Sequence, residues 1–441
     1  MSIPTLEGLQ IALTGLNAGQ ETLDVTGQNI ANAQTAGYTR ETAVLQTSPT
    51  LVIPTLSQAT GEGATLGTGV DVQTITRIRD SYLDGQYRGA NATLANSTTL
   101  AETLEQVQSA LAEPTSAGIS AKFASFWNAW NALANAPTSA AARETVVSAG
   151  QQLAGALNTM SRAVTAASNE AAGRYETLTA SGGEVAHDAQ QLAELNGQIK
   201  LAEQSGISSP NELLDHRDKL VDELSKLASV SVSEAQDGEI TLSFGNATEP
   251  LVEGTTVHWP QGLTAAAGGE LGALLSLSEP EGKLAKLGTA LNEVAEKLAD
   301  TVNASQPRTS FFTFTAGSAA ASIAVAATPA QLQTGPEGEP GANNLALSVT
   351  NLRGGEAETL YNAFVTRVGT EVKAANTGKA NAEAVRSAVA TQRQSVSGVS
   401  MDEEMTNLIT FQRGYEASAR ALTAMDQMLE TLIDHTGTAG L

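Results

Sequence analysis

The sequence predicts a mainly α protein: N- and C-terminal helices paired as a coiled coil, an elongated helical-bundle body and a small inserted β domain. Three observations carry this. Apolar residues recur every seven positions at both ends of the chain. Between the ends, long stretches keep the three-to-four spacing of helices. The period changes to two only in short stretches after residue 228.

Leu9, Leu16, Leu23 and Ile30 are spaced by seven, and Leu6 and Leu13 repeat the spacing in a second row. This is the seam of a coiled coil. Gly8, Gly15, Gly19 and Gly27 lie in the same stretch. Each glycine costs a helix roughly 1 kcal/mol relative to alanine, so this helix is expected to be weak alone and to need partners. The last segment mirrors the first. Met401, Leu408, Tyr415, Leu422 and Leu429 are spaced by seven, with Phe411, Met425 and Leu432 in a second row. Ser400 to Glu403 reads as a capping box, and Gly437 as a terminator. The matched stripes are expected to pair with each other and with neighbouring copies. The ends are expected to be largely disordered in the monomer and to order on assembly.

Residues 91–228 read as helical, and Phe123, Trp127, Trp130 and Leu133 form an apolar face of core character. The stretch VSVSEAQDGEITLSF alternates around Asp237-Gly238, a hairpin signal. Helix returns at 283–305 and again from 358, separated by a strand-like patch at 311–328 and a Gly/Pro loop at 334–344. The expected domains are a terminal coiled coil (1–45 and 399–441), a helical body (46–228, 270–308 and 345–398) and a small β-rich insertion (229–269 and 309–344).

The 441 residues carry 47 acids against 24 bases, a net charge of −23. Such a polyanion is a poor match for nucleic acid or an anionic membrane. There is no cysteine, hence no disulfide framework or thiolate metal site. No apolar run is long enough to cross a bilayer. The first Lys or Arg is Arg40, so the start of the chain does not read as a cleavable signal peptide. His216-Arg-Asp218 resembles a kinase catalytic loop, but its companion motifs are missing and it sits in a helical pattern. A solvated charged face is the expectation there. The glycine-rich 61–69 lacks the G-K-[ST] of a phosphate loop and reads as a plain loop. The four histidines are scattered. No catalytic residue, cofactor or metal is expected, and the chain does not read as an enzyme.

Residues 8–47 resemble the N-terminal segment shared by the axial proteins of the bacterial flagellum: rod, hook and hook-associated proteins. The likeness falls on Ala12, Leu13, Gly15, Leu16, Leu23, Asn29, Ile30, Ala31, Asn32, Thr35, Gly37 and Tyr38. Asn and Thr side chains can bond the free backbone groups of a helix end, and Gly37 permits a turn with positive φ. The break in NIANAQTAGYTR (29–40) would let the chain leave an inner helix and enter an outer layer. The "GYTR" signature, 67–88, FWNAWNALANAPTSAAARETVV, NELLDHRDKL and the C-terminal segment are similar to the first hook-associated protein family. In the C-terminal segment the likeness falls on Glu403, Leu408, Phe411, Gln412, Tyr415, Ala417 and Ala419.

This resemblance implies a structural subunit at the hook-filament junction, exported unfolded by the flagellar secretion apparatus to an extracellular position. The implied partners are the hook protein, a second junction protein (hook-associated protein 3), further copies of the chain in a helical ring, and an export chaperone. The implied N-terminal interface comprises Leu6, Leu9, Leu13, Leu16, Leu23, Asn29, Ile30, Asn32, Gly37 and Tyr38. The implied C-terminal interface and chaperone site comprises Met401, Leu408, Phe411, Tyr415, Leu422, Met425, Leu429 and Leu432. The alternative is another axial protein, a hook or distal rod subunit.

Overall fold

The computed structural model describes residues 3–49, 51–53, 64–206, 209–339 and 341–436. The first helix, α1 (Ile3–Asn32), ends in turns and is followed by four strands: β1 (Glu41–Thr47), β2 (Leu51–Ile53), β3 (Ala64–Leu66) and β4 (Val70–Arg77). A helical run comes next: α2 (Ser81–Leu111), α3 (Ile119–Asn135), α4 (Ala140–Thr179), α5 (Glu184–Gln204) and α6 (Asn211–Leu227). Strands β5 (Val230–Glu234), β6 (Ile240–Phe244), β7 (Val252–Glu253) and β8 (Thr256–Val257) interrupt it. Helices α7 (Gly269–Ser278) and α8 (Lys283–Ala304) lead to β9 (Phe312–Thr313), α9 (Ala319–Ser322) and β10 (Ala324–Val325). The chain closes with α10 (Asn344–Thr350), α11 (Glu356–Ser397) and α12 (Met401–Thr436). The expected stop at Gly437 lies outside the described residues.

The body is a bundle in which α2 runs along α11 and packs against α6 and α7, while α4 packs on α3, α7 and α8. The Asp80 side chain caps α2 by accepting from the Tyr82 and Leu83 amides. The aromatic face of α3 is core: Phe123, Phe126, Trp127 and Trp130 are fully buried. They meet Phe311, Phe312 and Tyr361, with ring centroids such as Phe126–Phe311 at 5.6 Å and Phe123–Tyr361 at 5.8 Å.

The terminal helices are continuous and packed on each other within one chain. The sequence alone implied ends that order only on assembly; the structure supplies the partner inside the molecule. Three glycines explain the close approach. A Cβ added at Gly8 would lie 3.1 Å from Met425 Sδ, at Gly15 3.1 Å from Ser418 Oγ, and at Gly19 3.4 Å from Tyr415 Cα. The contacts advance along α1 as they retreat along α12, so the pair is antiparallel.

Three other expectations change. The helical body expected from residue 46 begins only at α2: β1 and β4 form an antiparallel ribbon, bulged at Val44/Leu45, that packs on α1. The ribbon comes so close that a Cβ at Gly69 (φ +115°) would lie 2.0 Å from Thr14 Oγ1. Of the expected loop 61–69, residues 61–63 lie outside the described residues and 64–66 pair with β2. The β-rich insertion expected from 229–269 and 309–344 is not one unit: among the described residues no strand ladder joins them. The first forms the sheet β5-β6-β7-β8. Asn196 of α5 ties this sheet down by bonding the Ile240 and Gly254 carbonyls at 3.0 and 2.7 Å. The second is a two-residue ladder, β9 with β10, held on α4 and α8. Leu242, Phe244, Leu251 and Val252 of the first and Phe311 and Phe312 of the second share the common core.

The glycine contacts set a test. Gly19→Leu should push α1 and α12 apart and destabilise the pair by about 1–3 kcal/mol. Gly27→Ala meets nothing within 4 Å and should stabilise it by up to about 1 kcal/mol. Limited proteolysis of the termini and urea unfolding of both variants read the difference.

Candidate functional site: the terminal helix pair and its joint to the body

The structure places the residues singled out from the sequence in three groups. Leu9, Leu16, Leu23 and Ile30 of α1, and Leu408, Phe411, Tyr415, Leu422, Met425 and Leu429 of α12, are half-buried along the pair. Leu13, Met401 and Leu432 are exposed, at 44%, 45% and 55%. The side chain of Leu6 lies outside what is described. Asn29, Asn32, Gly37 and Tyr38 form the third group, at the joint where the pair meets the body.

Asn29 is 1% exposed, and its amide is saturated. Its Nδ2 donates to the Glu41 carbonyl at 2.9 Å and to Glu404 Oε2 at 3.2 Å. Its Oδ1 accepts from the Glu41 amide and from the Tyr38 hydroxyl, both at 2.9 Å. An amide has two N–H groups and two lone pairs, and all four are used. One side chain thus binds the end of α1 to the returning strand β1 and to the first turn of α12. Arg40 adds ion pairs to Glu403 at 2.7 Å and Glu404 at 2.8 Å, and its backbone N–H donates to the Ser397 carbonyl at 2.9 Å. Glu403, expected to close a capping box, bonds Arg40. Burial first, then the carboxylates of Glu41, Asp215 and Glu404, push the Tyr38 phenol up, so it stays a neutral donor. Burial also raises Glu41, opposed by its bond from Asn211 and reinforced by Asp215 and Glu212.

Behind this bracket lies a buried charge network, where the sequence reading expected a solvated face. Arg77 pairs with Asp215 at 2.7 Å and Asp218 at 2.8 Å. Arg79 pairs with Asp84 at 2.8 Å and Asp218 at 2.6 Å. Arg88 reaches Asp218 at 3.2 Å and Asp222 at 2.8 Å, and Arg393 of α11 reaches Asp84 and Asp222, both at 2.7 Å. The Arg393 guanidinium also lies 4.6 Å from the Tyr87 ring centroid. Four arginines face four aspartates, which is the balance that removal from water demands. Burial alone would raise the Asp218 carboxyl; Arg79, Arg77, Arg217 and Arg88 outweigh it and hold the pKa below the usual aspartate value. Asp215 also accepts from the Thr39 amide at 3.0 Å, which couples the network to the residues beside Tyr38.

The sequence reading missed Arg40, Arg77, Arg79, Asp84, Arg88, Asp222, Arg393 and Glu404. The signal was alternating charge in TRIRD (76–80) and DHRDKLVD (215–222), within a chain only 16% charged. A groove of about 700 Å³ between the turn after α1 and helices α5 and α6 is walled by Tyr38, Glu41, Glu194, Asp215, His216 and Lys219. Among the described residues no His/Cys/Asp/Glu group could hold a metal ion, and no helix is long and apolar enough to cross a membrane.

Known families match this arrangement in three pieces. Residues 104–259 match the helical domain of the flagellar hook-associated protein FlgK. Residues 9–39 match the flagella basal body rod protein, and 390–434 the C-terminal part of the flagellar basal body rod FlgEFG proteins. The flagellar hook-associated protein 1 of Bacillus subtilis (strain 168) is 29% identical, over 99% of both chains. That of Salmonella typhimurium is 30% identical over 66% of this chain, which spans 49% of that protein's length. A solved structure described as the flagellar hook junction protein FlgK from Burkholderia pseudomallei is 24% identical over 52% of this chain and 47% of its own, with a TM-score of 0.45. Paired terminal helices that match rod proteins, around a hook-associated helical domain, define a structural protein of the flagellar axis. The particular likeness, over the whole chain, is to the flagellar hook-associated protein 1 (FlgK) family.

Two substitutions test the joint. Asn29→Asp removes two donors and sets a carboxylate beside Glu404; it should cost about 2–4 kcal/mol in urea unfolding. Asp218→Asn should cost about 3–5 kcal/mol at neutral pH, because it leaves buried guanidinium groups uncompensated. The folded pKa of Asp218 is lowered, so its stabilisation is full above the unfolded value of about 4 and is lost as pH falls through the folded one. Stability of the Asn variant should therefore fall less steeply on acidification than that of the parent.

Proposed function

We propose that the chain is a structural subunit of the flagellar hook-filament junction, joining the flexible hook to the stiff filament and required for filament assembly. The observation that carries this reading is the antiparallel pairing of the first and last helices, in a chain similar to this family, with a stiff joint to a large body. Such a pair is a strut: α1 is closed on one side by α12 and on another by the β1–β4 ribbon, and the remaining faces are free to meet neighbours. Residues 1–45 and 399–441 form the inner layer, and the helical body lies outside it with both β-rich segments packed on it.

In this role the inner layer contacts hook protein on one side and the second junction protein on the other, and neighbouring copies laterally. These contacts are head-to-tail and propagate around a helical ring. The chain reaches its place unfolded, by the flagellar export route, and an export chaperone covers 399–435 before assembly. The role is mechanical, not catalytic. A second reading, a hook or distal rod subunit, is favoured by the rod-family matches at 9–39 and 390–434.

Electron microscopy of cells lacking the gene separates the two. Complete hooks without filaments, with flagellin lost to the medium, is the expected result; missing hooks would favour the rod or hook reading. Leu408→Asp, in the half-buried stripe, should give the same bare hooks while the purified body keeps its thermal transition. Normal filaments on that variant would remove the stripe from the mechanism.

A further inference from the structure

Helix α1 carries Glu7, Glu21 and Asp24 and no Lys or Arg. Glu21 and Asp24 are exposed. They lie about half a turn around α1 from Gly8, Gly15 and Gly19, the positions that touch α12. Helix α12 has Arg413 and Arg420 as its basic residues, one heptad apart. Both are exposed, and they lie about half a turn from the α1-facing Phe411, Tyr415 and Leu422. The Arg420 side chain is 82% exposed, and its ion pair is with Glu416 of its own helix at 3.5 Å.

The register sets the heights. Gly15 faces Ser418 and Gly19 faces Tyr415, so in an antiparallel pair Glu21 stands level with Arg413. One strut therefore presents Glu21 on one side and Arg413 on the opposite side at the same height, with Asp24 about one turn and Arg420 about two turns away from that level in opposite directions. The two patches cannot meet within the molecule. They fit each other on adjacent copies, and because the contact is heterologous it repeats from copy to copy.

We infer that neighbouring copies of this chain are aligned by a lateral charge contact, with Arg413 of one copy, flanked by Arg420, meeting Glu21 and Asp24 of the next. This rests on reading the terminal pair as the assembling element. Complementary charge fixes register and excludes wrong partners more than it adds affinity, which suits an element whose height in a ring must be set.

The test uses full-length chains in a strain without the wild-type copy. One variant carries Glu21→Arg with Asp24→Arg, a second Arg413→Glu with Arg420→Glu, and a third all four changes. The first two should each lower the fraction of hooks that bear filaments by roughly tenfold or more. The third, whose patches are exchanged, should recover. All four side chains are exposed, so the melting temperature of each purified chain should stay near that of the parent. Loss in both reversals without recovery in the exchange would overturn the copy-to-copy contact and assign the patches to a different protein. No loss in either reversal, with Leu408→Asp still giving bare hooks, would overturn the charge contact and leave the junction role standing. Filaments on Leu408→Asp as well would overturn both.

Discussion

The side-chain amide of Asn29 offers two N–H groups and two lone pairs, and its burial leaves no water to take any of them. Each must find a protein partner or cost about 1–3 kcal/mol. Those partners lie on three separate parts of the chain: the Tyr38 turn, strand β1 and the first turn of α12. The demand of one amide therefore fixes where α1 stops, how the chain reverses, and where the last helix begins. No other residue type supplies two donors and two acceptors on so short a stem. Aspartate lacks the donors, and glutamine is a methylene too long. The terminal pair is anchored to the body through this point and through Arg40 beside it.

The charge network behind the bracket solves a different problem. Helices α2, α6 and α11 converge where β4 ends, beside Arg77 and Arg79. A cluster of four arginines and four aspartates holds this meeting point at one geometry, since each carboxylate is shared by at least one guanidinium from another element. The network is charge-balanced, so the whole net charge of −23 rests on the remaining residues. Against that background the exposed pair Arg413 and Arg420 is chemically conspicuous.

The long-period features were legible. Coiled-coil stripes and the aromatic face of α3 announce themselves by repetition, and the hairpin at Asp237-Gly238 by its turn chemistry, with Gly238 at φ +74°. What repetition cannot show is a partner far away in the chain. Asp215, Asp218 and Asp222 lie on one helix face, and charge on a helix face normally means water. Their partners Arg77, Arg79 and Arg88 sit more than a hundred residues earlier. Asn29 was legible as a member of a motif but not as a bracket, because an amide does not state what it binds. The β1–β4 ribbon escaped because its residues are largely half-exposed and its alternation is broken by a bulge.

The bond from Asn29 to Glu404 spans 375 residues of sequence. Helix α1 thus takes as its partner α12, at the far end of the described residues. Closing so long a loop is entropically expensive, so the body, built from nearer contacts, is suited to fold before it. A chain cut short by premature termination could still form much of that body. It would lack α12, and α1 would be left with its glycine-lined face open. A subunit therefore offers a finished strut only when everything from α1 through α12 has been made.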